Sequence, residues 1–297
     1  MYTRVTEGVL IREFQRQVAR LQRERVDLQD IVSSQKKLRA PSDDPVGAAR
    51  AVRLRAEASQ LQALREGAGL GRAVLGAQDG ALDQVSAILV RAREIATQLA
   101  GGLSSTANRQ SAAEEVAELE RGLLALANTP IAGRYLFGGL ATGTAPFAAF
   151  DDPGFDPSTA YTGPAQPFSI RVATDETVRL TTPGNQVFGA AVVALDDLRQ
   201  TLAAGSDPFA SIDALRAASD TIVQERASVG GRLARLNDRD REIGSALDAS
   251  RRLLADIEDA DLTESIVELV QLDNVLNATL AAGRTLLETT ILDYVRP

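Results

Sequence analysis

The chain has 297 residues, a formal net charge of −8, and neither cysteine nor histidine. The missing residue types exclude disulfides, Cys or His metal sites and thiolate or imidazole catalysis, and the acidic balance argues against a nucleic-acid partner. No apolar run approaches the roughly 20 residues that a membrane-spanning helix needs, so membrane insertion is not expected. Hydrophobic residues make up 44% of the chain but aromatic residues only 4%, which favours long helices packed through small and medium side chains.

The first predicted helix, residues 6–37, carries an apolar seam with the spacing of a coiled coil. Its positions follow alternating steps of three and four residues: Ile11, Phe14, Val18, Leu21, Arg25, Leu28 and Val32. A single helix cannot bury its own apolar stripe, so this seam predicts packing against another helix.

The turn after this helix contains a pair of adjacent carboxylates, Asp43 and Asp44, followed by Pro45. Asp44 is predicted to cap the second helix, and Pro45 suits its first turn. A cap-and-turn role is favoured over catalysis because neighbours in sequence need not converge on one point. Glycines between residues 67 and 80 indicate either a bend in the second helix or close contact with a neighbour. Asn108 is the predicted cap of the third helix.

The segment from 131 to about 188 differs in composition, because Gly, Pro, Thr, Phe and Tyr cluster there. Residues 169–172 and 177–180 alternate polar and apolar side chains, which is typical of half-buried strands. With a turn around Asp175, they predict a β-hairpin inside an otherwise helical chain.

Helical patterns return near Ala190. A second cap-plus-proline pair, Asp207-Pro208, opens a helix to about Leu254, with a bend expected at 228–231. Asp261 with Glu264 predicts the start of the last helix. That helix has its own seam, again in steps of four and three: Leu262, Ile266, Leu269, Asp273, Leu276, Leu280, Gly283, Leu287, Thr290 and Tyr294. Two seamed terminal helices indicate a subunit of an assembly.

Two charged features near these ends invite interpretation. Arg25 and Asp273 interrupt the two seams, and a buried pair between them is one hypothesis for how the helices set their register. The acidic residues between 256 and 264 favour helix-start electrostatics over metal binding, since they lack the spaced ligands and turn glycine of a calcium loop. No metal or cofactor is therefore expected.

The first residues do not form a signal-peptide pattern, because charges recur every few positions without an apolar stretch. A cytoplasmic protein and a protein exported without a cleaved signal both agree with this observation.

Residues 37–49 (KLRAPSDDPVGAA) resemble the signature that follows the first helix of the bacterial flagellin superfamily, and residues 257–262 (IEDADL) resemble its C-terminal signature. Within that superfamily the middle of the chain is similar to the hook-filament junction proteins, the hook-associated protein 3 family. The matching segments are 126–129 (LANT), 133–139 (GRYLFGG), 144–147 (TAPF), 161–163 (YTG) and 183–188 (PGNQVF).

The resemblance implies a mainly α fold with a small β insert, arranged as an elongated helical rod. It implies a terminal coiled-coil domain (1–40 with 257–297), a helical rod domain (41–130 with 190–256) and an outer β-rich domain (131–189). The assembly interface is then expected along the two terminal seams, which include Leu287 and Tyr294.

The function implied by the resemblance is a structural, non-enzymatic adaptor at the hook-filament junction of the bacterial flagellum. The expected partners are other copies in a ring or helical layer, hook-associated protein 1, flagellin and an export chaperone. Type III export would place the protein outside the cell. A filament flagellin is one alternative, although the 133–139 and 144–147 motifs count against it. A cytoplasmic coiled-coil scaffold is another, but it accounts for neither the β insert nor the paired end signatures.

Overall fold

The computed structural model describes residues 7–101, 105–173 and 175–295. These residues form six α-helices: α1 (Glu7–Ser34), α2 (Pro45–Leu99), α3 (Thr106–Ala127), α4 (Gly184–Ala203), α5 (Ser211–Glu258) and α6 (Leu262–Val295). Four short strands, β1 (Pro130–Ile131), β2 (Arg134–Tyr135), β3 (Ser169–Ala173) and β4 (Glu176–Arg179), form two antiparallel pairs, β1–β2 and β3–β4. The predicted mainly α fold with a small β insert is confirmed, and so is the hairpin.

Aspartates begin two of the long helices, as predicted. Asp44 Oδ1 accepts hydrogen bonds from the backbone N–H groups of Val46 (3.0 Å) and Gly47 (2.9 Å), and Pro45 is the first residue of α2. Asp261 Oδ1 does the same for Thr263 (2.9 Å) and Glu264 at the start of α6. These bonds satisfy amide groups that a helix start leaves without partners.

Asp43 has the predicted role in the turn. Its Oδ2 accepts the backbone N–H groups of Ala40 (2.8 Å) and Arg39 (3.1 Å). These hydrogen bonds, that from Ala40 most of all, lower the pKa of the Asp43 carboxyl below its ordinary value because they favour the charged form.

Two local predictions were wrong, and one stays untested. Ser105, not Asn108, caps α3: its hydroxyl accepts the Asn108 N–H at 3.2 Å, which makes Asn108 the third helical residue. Helix α5 continues through residues 228–231, and the bend expected there stays a prediction. Helix α4 begins at Gly184 rather than near Ala190 as predicted. Gly184 fits against the rings of Phe147 and Tyr161.

Helix α2 also continues through its glycines, so close contact is the better interpretation, and it applies at one of them. A Cβ atom at Gly71 would lie 2.8 Å from Ile170 and 2.9 Å from Leu236. The packing of α2 against β3 and α5 therefore requires a glycine there.

The chain divides into two compact units, residues 1–59 with 247–297 and residues 60–246. The larger unit holds a continuous apolar core that includes Leu75, Leu123, Phe188 and Leu195. Ion pairs join α2 and α5 within it, such as Arg226–Asp83 at 2.8 Å and Arg72–Asp240 at 3.1 Å. The division into three domains stays a prediction.

Two of the central motifs form one packing arrangement in the larger unit. The Asn128 amide both donates to the Phe147 carbonyl and accepts from the Phe147 N–H, each at 3.0 Å. The Phe147 ring meets Tyr161 and Phe188 edge-on, with ring centroids 5.3 and 6.1 Å apart. The loop is thereby fixed on the end of α3 by a two-point bond and by aromatic packing.

Within the described part of the chain, every helix is too short or too polar to be a candidate for crossing a bilayer.

Candidate assembly interface

The smaller unit pairs the two terminal helices, and the predicted seam of α1 faces α6. Leu21 is buried, and Ile11, Phe14, Val18, Leu28 and Val32 are half-buried, whereas most other side chains of α1 are exposed. The three-and-four spacing identified this stripe correctly because one face of α1 is apolar and the opposite face carries its charges.

On α6 the covered stripe is displaced from the predicted seam. Leu269, Leu276 and Gly283 belong to both stripes, and Ser265, Leu272 and Thr279 complete the covered one. Each of these three precedes a predicted seam residue by one position. Of the predicted residues, Leu262 and Asp273 are half-buried, but Ile266 is 47% and Leu280 41% exposed. The side chains of Leu287, Thr290 and Tyr294 lie outside the described residues.

The two helices approach each other closely at Gly283. A Cβ atom there would lie 2.6 Å from Cε2 of Phe14 and closer still to the end of that ring. Glycine in a helix interior ordinarily costs about 1 kcal/mol relative to alanine, so its presence here has a packing reason. The ring of Phe14 occupies the space that a side chain at 283 would need.

Arg25 and Asp273 do pair across the helices, with Nε and Oδ1 2.7 Å apart. The hypothesis of a buried pair is wrong, however, since the side chains are 46% and 42% exposed. Solvent-exposed pairs contribute about 0–1 kcal/mol. This pair therefore contributes little to stability, and a role in setting the register stays a prediction.

A second contact, not foreseen from the sequence, joins the turn after α1 to the turn before α6. Glu258 ends α5 with its side chain only 3% exposed, and its two oxygens meet Lys36 Nζ at 2.7 Å and Arg55 Nη2 at 2.6 Å. The backbone adds bonds from Lys37 N to Glu258 O (2.8 Å) and from Ala260 N to Gln35 O (3.0 Å). We call Lys36, Arg55 and Glu258 the clasp.

Electrostatics hold Glu258 in its ionised form. Burial acts to raise the pKa of its carboxyl, but the hydrogen bonds from Lys36 and Arg55 outweigh burial and leave the pKa below its ordinary value. A sequence signal for this role does exist. An acidic residue in the last turn of a helix opposes the helix dipole, so it needs nearby cations.

The clasp brings together the two segments that resemble the end signatures of the flagellin superfamily. Lys37 opens the first segment and Glu258 lies in the second. Among the described residues, no group of three or more acidic side chains is placed to hold a metal ion. Within the acidic stretch 256–264, Glu258 forms ion pairs and Asp261 caps α6.

Helix α6 presents a further apolar surface to solvent. We call it the outer stripe; each member is between 41% and 55% exposed, and its members are Ile266, Val267, Val270 and Leu280. So many large apolar side chains exposed on one helix are unusual for a monomeric protein.

Beside the outer stripe, α1 and α6 form a groove of about 480 Å³. Leu28, Ile31 and Leu272 supply apolar lining, and Glu24, Asp27 and Glu268 add acidic groups. The pair of helices can thus accept apolar side chains from another helix, with a preference for basic neighbours.

Comparison with known proteins gives concordant results. The family described as the bacterial flagellin N-terminal helical region matches residues 9–142. The chain is 27% identical over 268 residues to flagellar hook-associated protein 3 of Escherichia coli strain K12, covering 88% of this chain and 79% of that protein.

Solved structures share the fold. A protein from Vibrio parahaemolyticus that is described as a flagellar hook-associated protein superposes with a TM-score of 0.65 at 21% identity, covering 73% of this chain and all of its own. Flagellar hook-associated protein-3 from Legionella pneumophila superposes with a TM-score of 0.60 at 14% identity, covering 69% of this chain and 98% of its own.

Proposed function

Because the chain belongs to the bacterial flagellin superfamily, we propose that it is a structural subunit of the flagellum that works as an adaptor at the hook-filament junction. In this role it assembles with copies of itself and connects hook-associated protein 1 to flagellin. Export through the flagellar type III apparatus, aided by a chaperone, delivers it to the outside of the cell. No catalytic step is part of the proposal.

The observation that carries the proposal is the outer stripe of α6. Helix α1 covers one side of α6 and leaves four large apolar side chains of the outer stripe in solvent. Burial of apolar surface contributes about 25 cal/mol per Å², so a neighbouring helix laid on this stripe gains substantial stability. The two terminal helices therefore pack against each other but leave apolar surface for a neighbouring subunit to cover, as expected of a subunit in a ring or helical layer.

The clasp supports the same proposal because it holds the terminal helices in place within the subunit. Assembly through α6 needs its angle to α1 to be fixed before the neighbour arrives, since a preorganised surface binds with a smaller entropic cost. Two ion pairs and two backbone hydrogen bonds hold the turns at one end of the pair. The exposed Arg25–Asp273 ion pair links α1 and α6 at a second point and can set their register.

A junction adaptor is favoured over a filament flagellin by the relatives. The match to the E. coli protein extends over most of the chain, and that protein is called flagellar hook-associated protein 3. A cytoplasmic scaffold has no comparable support.

The test in cells is deletion of the gene. We expect intact hooks, filaments that fail to stay attached and flagellin lost to the medium, all restored by the wild-type gene. Normal attached filaments on the deletion strain would refute the junction role.

The test of the surface uses Leu280→Asp in the complemented strain, with Val223→Asp as a matched control. Both positions are exposed apolar residues of long helices and gain the same charge, but Val223 lies in α5 of the larger unit and not in α6. We expect Leu280→Asp to be exported yet missing from isolated hook-basal bodies, because a charge buried on assembly has no partner. Normal incorporation of this variant would show that the stripe is not an assembly surface.

A further inference from the structure

The packing of α3 against α4 contains two carboxylates that meet one arginine. Arg199 Nε donates to Glu120 Oε2 at 3.3 Å, and Arg199 Nη2 donates to Asp196 Oδ1. Nε and Nη2 lie on the same edge of the guanidinium, the edge that a single carboxylate occupies in a bidentate pair. Two carboxyl groups therefore converge on a place suited to one.

This cluster is shielded from water. Glu120 is fully buried and the Asp196 side chain is 5% exposed. Both Asp196 oxygens have donors, since Gln200 Nε2 donates to Oδ2 at 2.7 Å. Glu120 Oε1, by contrast, is buried without a hydrogen-bond partner.

The charges around the cluster do not balance. Arg199 faces both carboxylates, and Arg121, beside Glu120 in α3, is engaged at the surface by Glu118 and Asp151. The Phe150 ring of the neighbouring loop lies under both guanidinium groups, 4.7 Å from Arg121 and 5.6 Å from Arg199. With both carboxylates ionised, one buried negative charge would lack a partner, and such a charge is strongly destabilising.

We propose that Glu120 holds a proton in the folded protein where it meets Asp196 and Arg199, and that this proton makes the contact between α3 and α4 sensitive to pH. Folding of the larger unit then takes up a proton near neutral pH, and the packing of the two helices weakens when the proton leaves. Oε1 of Glu120 is the site of the proton because it is the oxygen without a donor.

The protonation equilibrium fixes the pH range. Burial, and then the charge of Asp196, raise the pKa of Glu120 from 4.5 to about 7, against the opposing effects of Arg199 and Arg121. In the unfolded chain the group titrates at its ordinary value. The stabilisation is therefore complete below pH 4.5, declines as the pH rises from there and is lost above pH 7. Within that range, the titration of Glu120 raises the equilibrium constant for unfolding by up to about tenfold per pH unit.

The test is urea unfolding of the full chain between pH 5 and pH 8. We compare the wild type with Glu120→Gln, which mimics the protonated group, and with Glu114→Gln as a control at an exposed position of the same helix. We expect the wild type and the control to lose stability as the pH rises towards 7. Glu120→Gln should lose this dependence and be at least as stable as the wild type at pH 8. An unchanged pH dependence in Glu120→Gln, or a large loss of stability confined to pH 8, would overturn the proposal.

A second measurement keeps the test decisive if Glu120→Gln does not fold. Wild-type protein unfolded in weakly buffered urea at pH 6 should release about one proton, since ordinary carboxyl groups are already ionised there. Asp196→Asn removes the competing carboxylate and leaves Arg199 to Glu120 alone, so its release should fall well below that of the wild type. Equal release from the two proteins, or none from the wild type, would refute the proton on Glu120.

Discussion

The two helix pairs, α1–α6 in the smaller unit and α3–α4 in the larger one, solve the same packing problem in opposite ways. In α3–α4 the contact is closed: Leu123 and Leu195 are fully buried, and even the ionisable groups Glu120 and Asp196 lie inside. In α1–α6 most of the seam is half-exposed, the interhelical ion pair lies in solvent and the outer stripe faces outward.

The difference separates folding from assembly. A closed helix pair derives its stability from its own chain, whereas an open pair leaves apolar surface for a second chain to cover. Within one sequence, a pair of packed helices can therefore serve either purpose, and the exposure of the apolar side chains beside the contact distinguishes the two. The following substitutions test this contrast, from the largest expected effect to the smallest.

Truncation in the closed pair should have the largest effect. Leu195→Ala is expected to lower the free energy of unfolding by about 2–5 kcal/mol, the range for deleting a buried leucine and leaving a cavity. Leu280→Ala in the open pair should lower it by less than about 1 kcal/mol because that side chain is already largely in solvent. Urea unfolding of the purified variants measures both, and equal losses would contradict the contrast.

Loss of the clasp charge should come next. Glu258→Gln is expected to lower the free energy of unfolding of the smaller unit at pH 7 by about 1.5–3 kcal/mol, the range for hydrogen bonds between charged groups. Since the pKa of Glu258 is lowered on folding, the stabilisation is present above pH 4.5 and lost as the pH falls through the folded value. Melting temperatures of variant and wild type should therefore converge in acid.

The control for the clasp is Glu57→Gln, which removes an exposed carboxylate two residues from Arg55 in α2. It should leave the melting temperature nearly unchanged at either pH. A pH-independent difference between Glu258→Gln and the wild type would mean that the residue acts through packing rather than charge.

A methyl group at the helix crossing should have a moderate effect. Gly283→Ala is expected to displace Phe14 and lower the stability of the α1–α6 pair by about 1 kcal/mol, despite the better helix propensity of alanine. Faster amide hydrogen exchange around Phe14 would report the displacement. Gly231→Ala, in α5 with open space around the new methyl, should stabilise by about 0.5–1 kcal/mol. Stabilisation by Gly283→Ala would show that Phe14 moves aside freely.

The smallest effect is expected at the exposed ion pair. Arg25→Ala should lower the free energy of unfolding by about 0–1 kcal/mol, with most of the difference lost in high salt because exposed charges are screened. A double-mutant cycle with Asp273→Ala isolates the coupling. A coupling energy well above 1 kcal/mol that persists in salt would require a partly dehydrated pair.

Local features of the sequence predicted the elements with short-range causes. The helix starts at Asp44 and Asp261 follow from side-chain bonds to amides two and three residues on, and the β3–β4 hairpin follows from its alternation. The wrong prediction at Asn108 also has a short-range cause, since Ser105, three residues earlier, is itself a good capping residue and accepts the Asn108 N–H. The α1 seam was readable because α1 has one apolar face.

Tertiary packing alone decided what depends on distant partners. Helix α6 carries apolar residues on two adjacent stripes, and the small side chains of Ser265, Thr279 and Gly283 decide which of them α1 can approach. The clasp joins Glu258 to Lys36, 222 positions away, and Arg199 meets Glu120 across 79 positions. Periodicity describes one helix at a time. The convergence of charges from different helices depends on how the helices cross, and that is set by the packing of all of them together.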